Sequence, residues 1–317
     1  MAMNRIQFQK GLSLPDFATS FGTELKCMRA LELARWPNGF TCQCGNQSHY
    51  VVRQGVRRLY QCSACRHQTS LIAGTVMEST KLPLTSWFLA IYLISQAKNG
   101  IAALELKRLL GVSYPTAWLL HHKIMSTMTE CDDAYTLEGK VLIDDAYLGG
   151  EHPGGKRGRG SENKVPFVAA VSLDNQEHPI FTKMVPITAF TLESVGLLAK
   201  AIFKPGACIY SDGLNCFPGV ALAGCSHYPS VMSGRKPRDV PEFNWLNTVL
   251  GNLKTMMSGT HHAFKFIKYA KSYLGAFAYR FNRRFDMKAI TPRLIVGIAQ
   301  HKPRPLRVIR GKAEDAC

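Results

Sequence analysis

Residues 140–150 read Lys-Val-Leu-Ile-Asp-Asp-Ala-Tyr-Leu-Gly-Gly, and the way this stretch folds governs the second half of the chain. Three consecutive apolar side chains, Val141, Leu142 and Ile143, have the composition of a strand buried on both faces. Asp144 follows at once, and a carboxylate leaving a buried strand wants a cation or donors to offset its desolvation. The pattern recurs at Ala207-Cys208-Ile209-Tyr210-Ser211-Asp212, where Gly213 permits a sharp turn out of the strand. Beyond Asp212, the stretch from Glu242 to Met257 has helical character, with Asn247 and Lys254 two turns apart on one face. Two strand-end aspartates and an amide oxygen make a hard-oxygen donor set suited to Mg²⁺ or Mn²⁺, and a lysine on the same face can hold a phosphate. Ions in such a site activate an attacking oxygen and stabilise a leaving one in phosphodiester chemistry. Singly, these residues serve equally well as turn formers, a helix cap and a solvated lysine. Their occurrence in this order is what points to chemistry.

Composition agrees with a nucleic-acid partner. Thirty-nine Lys and Arg against 22 acids leave a formal charge of +17 on 317 residues, long enough for two or three small domains. RNA, an anionic lipid surface or a ribosome would also attract this charge. No apolar run reaches the roughly 18 residues of a spanning helix, and the polar start Met1-Ala2-Met3-Asn4-Arg5 does not resemble a secretory signal. The expected setting is therefore cytoplasmic and nucleoid-associated, without a membrane partner. Ten cysteines in such a compartment are read first as metal ligands.

Between Trp36 and Val76, Cys42-Gln43-Cys44-Gly45 and Cys62-Ser63-Ala64-Cys65 read as the two knuckles of a zinc ribbon, which four thiolates would close around a structural Zn²⁺. The intervening residues 50–61 alternate as a hairpin does, with Gly55 at the turn. The first knuckle is C-x-C where C-x₂-C is usual, so His49 or Cys27 remains an alternative ligand, as does a metal-free cluster. Arg53, Arg57, Arg58 and Arg66 would face DNA. Residues 1–35 read as a preceding helical segment. Residues 82–130 then give a helix, a turn at Gly111, a cap at Ser113 with Pro115 in the first turn, and a second amphipathic helix. That is helix-turn-helix spacing, with Tyr114, Thr116, His121, His122 and Lys123 facing solvent or a DNA groove and Trp118 in the core.

Residues 137–293 read as three strands, a helix, two more strands and the Asn247 helix, the element order of an RNase H-like fold with a mixed sheet. Between the first two strands a glycine-rich loop carries Lys156, Arg157, Arg159 and Lys164, suited either to phosphate contact or to simple solvation. Near the end, Arg280, Arg283 and Arg284 alternate with Tyr279, Phe281 and Phe285, as a backbone clamp with stacking rings would, or as a last helix packing on its own core would. Residues 294–317 read as a basic tail. The whole is a multidomain α/β chain.

The succession of Arg35-Trp36-Pro37-Asn38-Gly39-Phe40, the cysteine knuckles, the Gly111 helix pair, Ile143-Asp144-Asp145-Ala146-Tyr147, Tyr210-Ser211-Asp212-Gly213 and Trp245-Leu246-Asn247 resembles the bacterial insertion-sequence transposases of the ISXO-two-like group. The resemblance implies an RNase H-like domain of the DDE superfamily, in the branch whose third acid is replaced by Asn. Asp144 and Asp212 then match its metal aspartates, Asn247 the third ligand and Lys254 the basic residue beyond. Asp145 competes with Asp144, although strand alternation aims it at the opposite face. Asn252 competes with Asn247 but lies off the Lys254 face. The implied activity is binding of the element's terminal inverted repeats, metal-dependent strand cleavage and transfer into double-stranded target DNA, performed by a dimer or larger synapse. The alternatives are a structure-selective nuclease or resolvase, and an inactive zinc-ribbon regulator.

Overall fold

The computed structural model describes residues 9–54, 57–149, 161, 163–230, 241–261 and 264–311. Two compact units divide the chain, one built from the residues up to Thr127 together with Phe285–Gly311, the other from Met128–Arg284.

The first unit opens with helices α1 (Leu14–Phe21) and α2 (Glu24–Arg35), started by Ser13 and Thr23, whose hydroxyls accept from the backbone N–H groups of Asp16 and Lys26. Strands β1 (His49–Gln54), β2 (Arg57–Cys62) and β3 (Gln68–Ser70) form an antiparallel sheet in that order. A sheet this small buries little, and its core is a knot of rings: Trp36, Phe40 and Tyr60 lie with centroids 4.8–5.5 Å apart. Helices α3 (Leu84–Gln96), α4 (Ala103–Leu110) and α5 (Tyr114–Asp133) follow. Gly111 ends α4 in the left-handed region at φ 64°, and Ser113 Oγ accepts from the Thr116 N–H at the start of α5.

The second unit is a five-stranded sheet covered on both faces. Its strands are β4 (Lys140–Leu148), β5 (Val165–Leu173), β6 (Pro179–Pro186), then after α6 (Leu192–Ile202) β7 (Cys208–Ser211) and β8 (Ser226–Pro229). The order across the sheet is β6-β5-β4-β7-β8, with β4–β5 and β5–β6 antiparallel and β4–β7 and β7–β8 parallel. Alternation along β4 sorts its side chains. Val141 and Ile143 pack with α6 and the 3₁₀ turn Phe217–Ala223. Leu142 and Leu148 pack on the other face with α7 (Asn244–Thr260) and α8 (Phe266–Asn282). Helix α7 presents Leu246, Val249, Leu250, Leu253 and Met256 to that core, the i, i+3, i+4, i+7 stripe of an amphipathic helix.

The chain ends with α9 (Met287–Gln300) and α10 (Leu306–Ile309), which belong to the first unit. Here the structure corrects the sequence reading, which began a basic tail at residue 294. Leu294, Ile295, Ile298 and Ala299 are buried, α9 packs against α2 and α3, and Ser95 Oγ shares a hydrogen bond of 2.9 Å with Thr291 Oγ1. The apolar period of Ile290, Leu294, Ile295 and Ile298 carries the helix through that boundary.

Candidate functional site

Strands β4 and β7 run parallel and pair only from Lys140↔Cys208 to Ile143↔Ser211. Asp144 and Asp212 are the next residues on each, so they stand side by side where the two strands stop pairing. Gly213, at φ 85°, takes the chain away from β7, and Asp212 Oδ1 accepts from the Leu214 N–H at 3.2 Å. Asp144 Oδ1 accepts from the Asp145 N–H at 2.8 Å. Carboxylate oxygens of Asp144, Asp145 and Asp212 all lie within 4.8 Å of one another, and all three residues are half-buried. Oxygen ligands about 2.0–2.6 Å from one hard cation span about this distance, so the donor set fits a divalent ion. Burial raises the nearby Cys216 thiol above its ordinary value, and the charges of Asp145 and Asp212 raise it further.

Asp145 is the departure from the sequence expectation. Core packing confirms that it starts from the opposite face of β4, yet its carboxylate joins the other two. Beyond Ile143↔Ser211 no paired backbone of β7 separates the two faces, and a side chain can reach round the strand edge.

Helix α7 covers the sheet face from which Asp144 projects, and its residues Asn247, Asn252 and Lys254 are exposed. Asn247 and Lys254 both lie away from the buried stripe.

In the first unit the Sγ atoms of Cys42, Cys44, Cys62 and Cys65 gather within 4.8 Å of one another. Cys42 and Cys65 sulfurs are 3.5 Å apart and those of Cys44 and Cys62 3.6 Å, near the roughly 3.8 Å expected for thiolates tetrahedral about Zn²⁺. The C-x-C knuckle closes because Gly45 adopts φ 84°, its N–H donating to Cys42 O and the Cys42 N–H to Asn46 O. Hydrogen bonds from the Cys65 backbone and the Asn46 amide pull the Cys62 thiol down to about 6, favouring the thiolate that metal binding requires. The two alternative ligands stand elsewhere. Cys27 is buried against Phe21 O, with its thiol pushed up to about 12 chiefly by burial. His49 bonds Gln47 O through Nδ1 and packs its ring on Phe40 and Tyr60.

The expected DNA contacts divide. Tyr114 is exposed at the start of α5, Thr116 and Arg58 are half-buried, and Arg53 and Arg66 are exposed. The side chain of Arg57 and residues Lys156, Arg157 and Arg159 lie outside the described residues. Others are corrected by burial. Lys123 is 6% exposed and donates to Val76 O at 2.9 Å, while His121 and His122 are also buried, because this part of α5 is covered on all sides. Arg283 forms a 2.6 Å ion pair with Asp132, and Arg284 donates to the carbonyls of Pro179, Ile180 and Phe281. These arginines anchor the end of α8 to the last turn of α5 and to β6; they do not form a clamp.

Two segments of the chain match known domains. Residues 22–68 match a transposase zinc-ribbon domain and residues 136–282 an ISXO2-like transposase domain. The chain belongs to the ISXO2-like insertion-sequence transposases. It is also similar to an uncharacterised protein in transposable element ISH50 of Halobacterium salinarum, 28% identical over 218 residues that cover 62% of this chain and 70% of that protein. In this transposase all four clustered cysteines fall within the ribbon match, and Asp144, Asp145, Asp212, Asn247 and Lys254 within the transposase match. Among the described residues no helix is long and apolar enough to cross a membrane.

Proposed function

We propose that this transposase binds the terminal inverted repeats of its insertion sequence, cuts there, and joins the freed ends to target DNA in a metal-dependent reaction. The observation that carries the reading is the convergence of Asp144, Asp145 and Asp212 where β4 and β7 stop pairing. Supporting it, the sheet order third, second, first, fourth, fifth strand, with the second antiparallel, is that of an RNase H-like domain.

Asp144 and Asp212 hold the divalent ions in this reading. Bound there, Mg²⁺ or Mn²⁺ would acidify the attacking hydroxyl or water and neutralise charge on the leaving oxygen. Asn247 completes the ligand set as a neutral donor from α7, and Lys254 orients the scissile or a flanking phosphate. Cys42, Cys44, Cys62 and Cys65 hold a structural Zn²⁺ that staples a module too small to fold alone. Arg53, Arg57, Arg58 and Arg66 of the ribbon, with Tyr114 and Thr116 of a helix-turn-helix formed by α4 and α5, read the repeat; Lys156, Arg157 and Arg159 hold backbone phosphates. Joining two ends requires two such chains or more in the synapse, acting on chromosomal DNA in the nucleoid.

The test is a strand-transfer assay with the element's own terminal repeat and Mg²⁺ or Mn²⁺, comparing wild type with Asp212→Ala and Asn247→Ala. Joined product in the wild type and none in either variant, with end binding kept, is the expected result. Cleavage without joining would replace the reading with a nuclease, and binding without cleavage with a regulator.

A further inference from the structure

One aromatic feature of the second unit has no part in the chemistry above. Lys140, Tyr210 and Tyr228 stand in a row across β4, β7 and β8. Leu142 pairs with Tyr210 and Tyr210 with Tyr228, and Lys140, two residues before Leu142, shares its face. The two tyrosine rings stack with centroids 4.9 Å apart and planes 19° from parallel. Lys140 Nζ lies 5.1 Å from the Tyr210 centroid and bonds Glu177, so the inner end of the row is occupied.

Among the described residues no ring or cation stacks on the outer end. β8 is the edge strand of the sheet, Tyr228 is 45% exposed, and among the described residues Tyr210 is its one aromatic neighbour. A cross-strand aromatic pair accounts for the stacking itself. It does not account for a large ring left in water on an edge strand, where proteins more often place charge. The position of the row supplies a reason. Tyr210 is two residues before Asp212, and Leu142, its partner in the ladder, is two before Asp144. Tyr228 is therefore one strand across and two residues back from Asp212, roughly 8 Å along the sheet backbone, and Asp144 and Asp145 stand one strand further in.

We propose that the open face of Tyr228 stacks an unpaired nucleobase of the DNA strand whose phosphate lies at Asp144, Asp145 and Asp212. The inference rests on the proposed function, since it takes DNA as the substrate of that site. A base inside a duplex has both faces covered by its neighbours, so only a splayed or single-stranded nucleotide can use this ring. Stacking on tyrosine accepts any base, which suits a step that must tolerate different flanking and target sequences. Tyr210, itself flanked by Lys140, backs the Tyr228 ring, so little ordering remains to be done on binding.

The experiment uses the full chain and two DNA duplexes of one sequence, blunt or with a three-nucleotide single-stranded overhang carrying 2-aminopurine, in Ca²⁺ to hold back cleavage. Wild type binds the overhang more tightly than the blunt end and quenches the 2-aminopurine. Tyr228→Ala weakens overhang binding about tenfold, the typical worth of one base on an aromatic ring, and loses the quenching, while blunt-end affinity stays put. Tyr228→Phe, which keeps the ring, behaves as wild type and guards against a folding defect. Equal affinities for both duplexes in the wild type, an equal change for both in Tyr228→Ala, or a Phe variant as weak as Ala would each overturn the proposal. Because the comparison is read from binding, a wild type that never cuts or joins DNA would sink the proposed function without bearing on these affinities.

Discussion

Replacing Arg283 by Ala should cost stability and leave DNA affinity alone. Arg283 and Asp132 side chains are 9% and 8% exposed, and Nη1 to Oδ1 is 2.6 Å. The guanidinium also donates to Tyr279 O at 3.1 Å and lies 3.6 Å over the Tyr279 ring. Removing it leaves the Asp132 carboxylate buried, with the Asn282 amide at 2.9 Å as its remaining direct donor among the contacts described. Breaking a buried pair from one side costs about 3–5 kcal/mol, against about 0–1 kcal/mol for an exposed one. With the Asn282 bond and the nearby positive charge of Lys183 retained, the low end, about 3 kcal/mol, is expected. The loss should also depend on pH. Burial holds the Asp132 carboxyl above its ordinary value, and Arg283 is the strongest influence pulling it back. Without Arg283 the folded-state value rises further. A carboxyl raised on folding favours the folded state while protonated, and that advantage disappears as pH climbs through the folded value. The variant's deficit is thus largest at neutral pH and shrinks as the solution is acidified. Hydrogen exchange at the β6 and α8 amides, followed by mass spectrometry from about pH 8 to about pH 5, reads both quantities once intrinsic exchange rates are corrected for. A deficit below about 1 kcal/mol, or one that is flat with pH, would refute the reasoning. A weaker DNA complex at unchanged stability would restore Arg283 to the DNA surface.

Three further outcomes follow from named contacts. A Cβ at Gly275 would sit 2.2 Å from Thr129 Oγ1 and 2.7 Å from its Cγ2, so Gly275→Ala should destabilise the second unit by about 1–3 kcal/mol. Adding Thr129→Ala, which removes both atoms, should recover part of that in thermal melts. Cys44→Ser should lower the zinc content of the purified chain below the one ion per molecule expected of wild type, and expose the ribbon to proteolysis. Elemental analysis checks the first and limited digestion the second. Lys123→Ala should lower the melting temperature, since the ammonium donates to Val76 O and lies over the Trp87 ring, while the salt dependence of DNA binding stays that of wild type.

Local signals in the sequence were enough for the strands of the second unit, for the four clustered cysteines and for two of the three clustered aspartates, Asp144 and Asp212. Val141 to Ile143 and Cys208 to Tyr210 announce buried strands by composition, and the cysteine spacing announces two knuckles that the ring cluster of Trp36, Phe40 and Tyr60 supports. What stayed hidden depends on pairing across long distances. Asp145 joins Asp144 and Asp212 because β4 and β7 part after Ile143↔Ser211, and no local pattern marks where a parallel pair ends. Arg283 reads as a surface cation until Asp132, about 150 residues earlier, is brought to it. Lys123, His121 and His122 carry polar labels on a helix covered on every side. The buried period of α9 was present in the sequence, but nothing local says that a helix after the transposase match packs beside α2 and α3. The Tyr210 and Tyr228 stack likewise needs the register of two strands known.

The most direct measurement is Mn²⁺ binding to the purified chain by electron paramagnetic resonance, for wild type and for Asp144→Asn, Asp145→Asn and Asp212→Asn. Three carboxylates within 4.8 Å predict a wild-type site that each neutral substitution weakens at least several-fold, with folding unchanged by circular dichroism. Mn²⁺ bound equally well by all four proteins, or by none, would contradict a metal centre built on these aspartates.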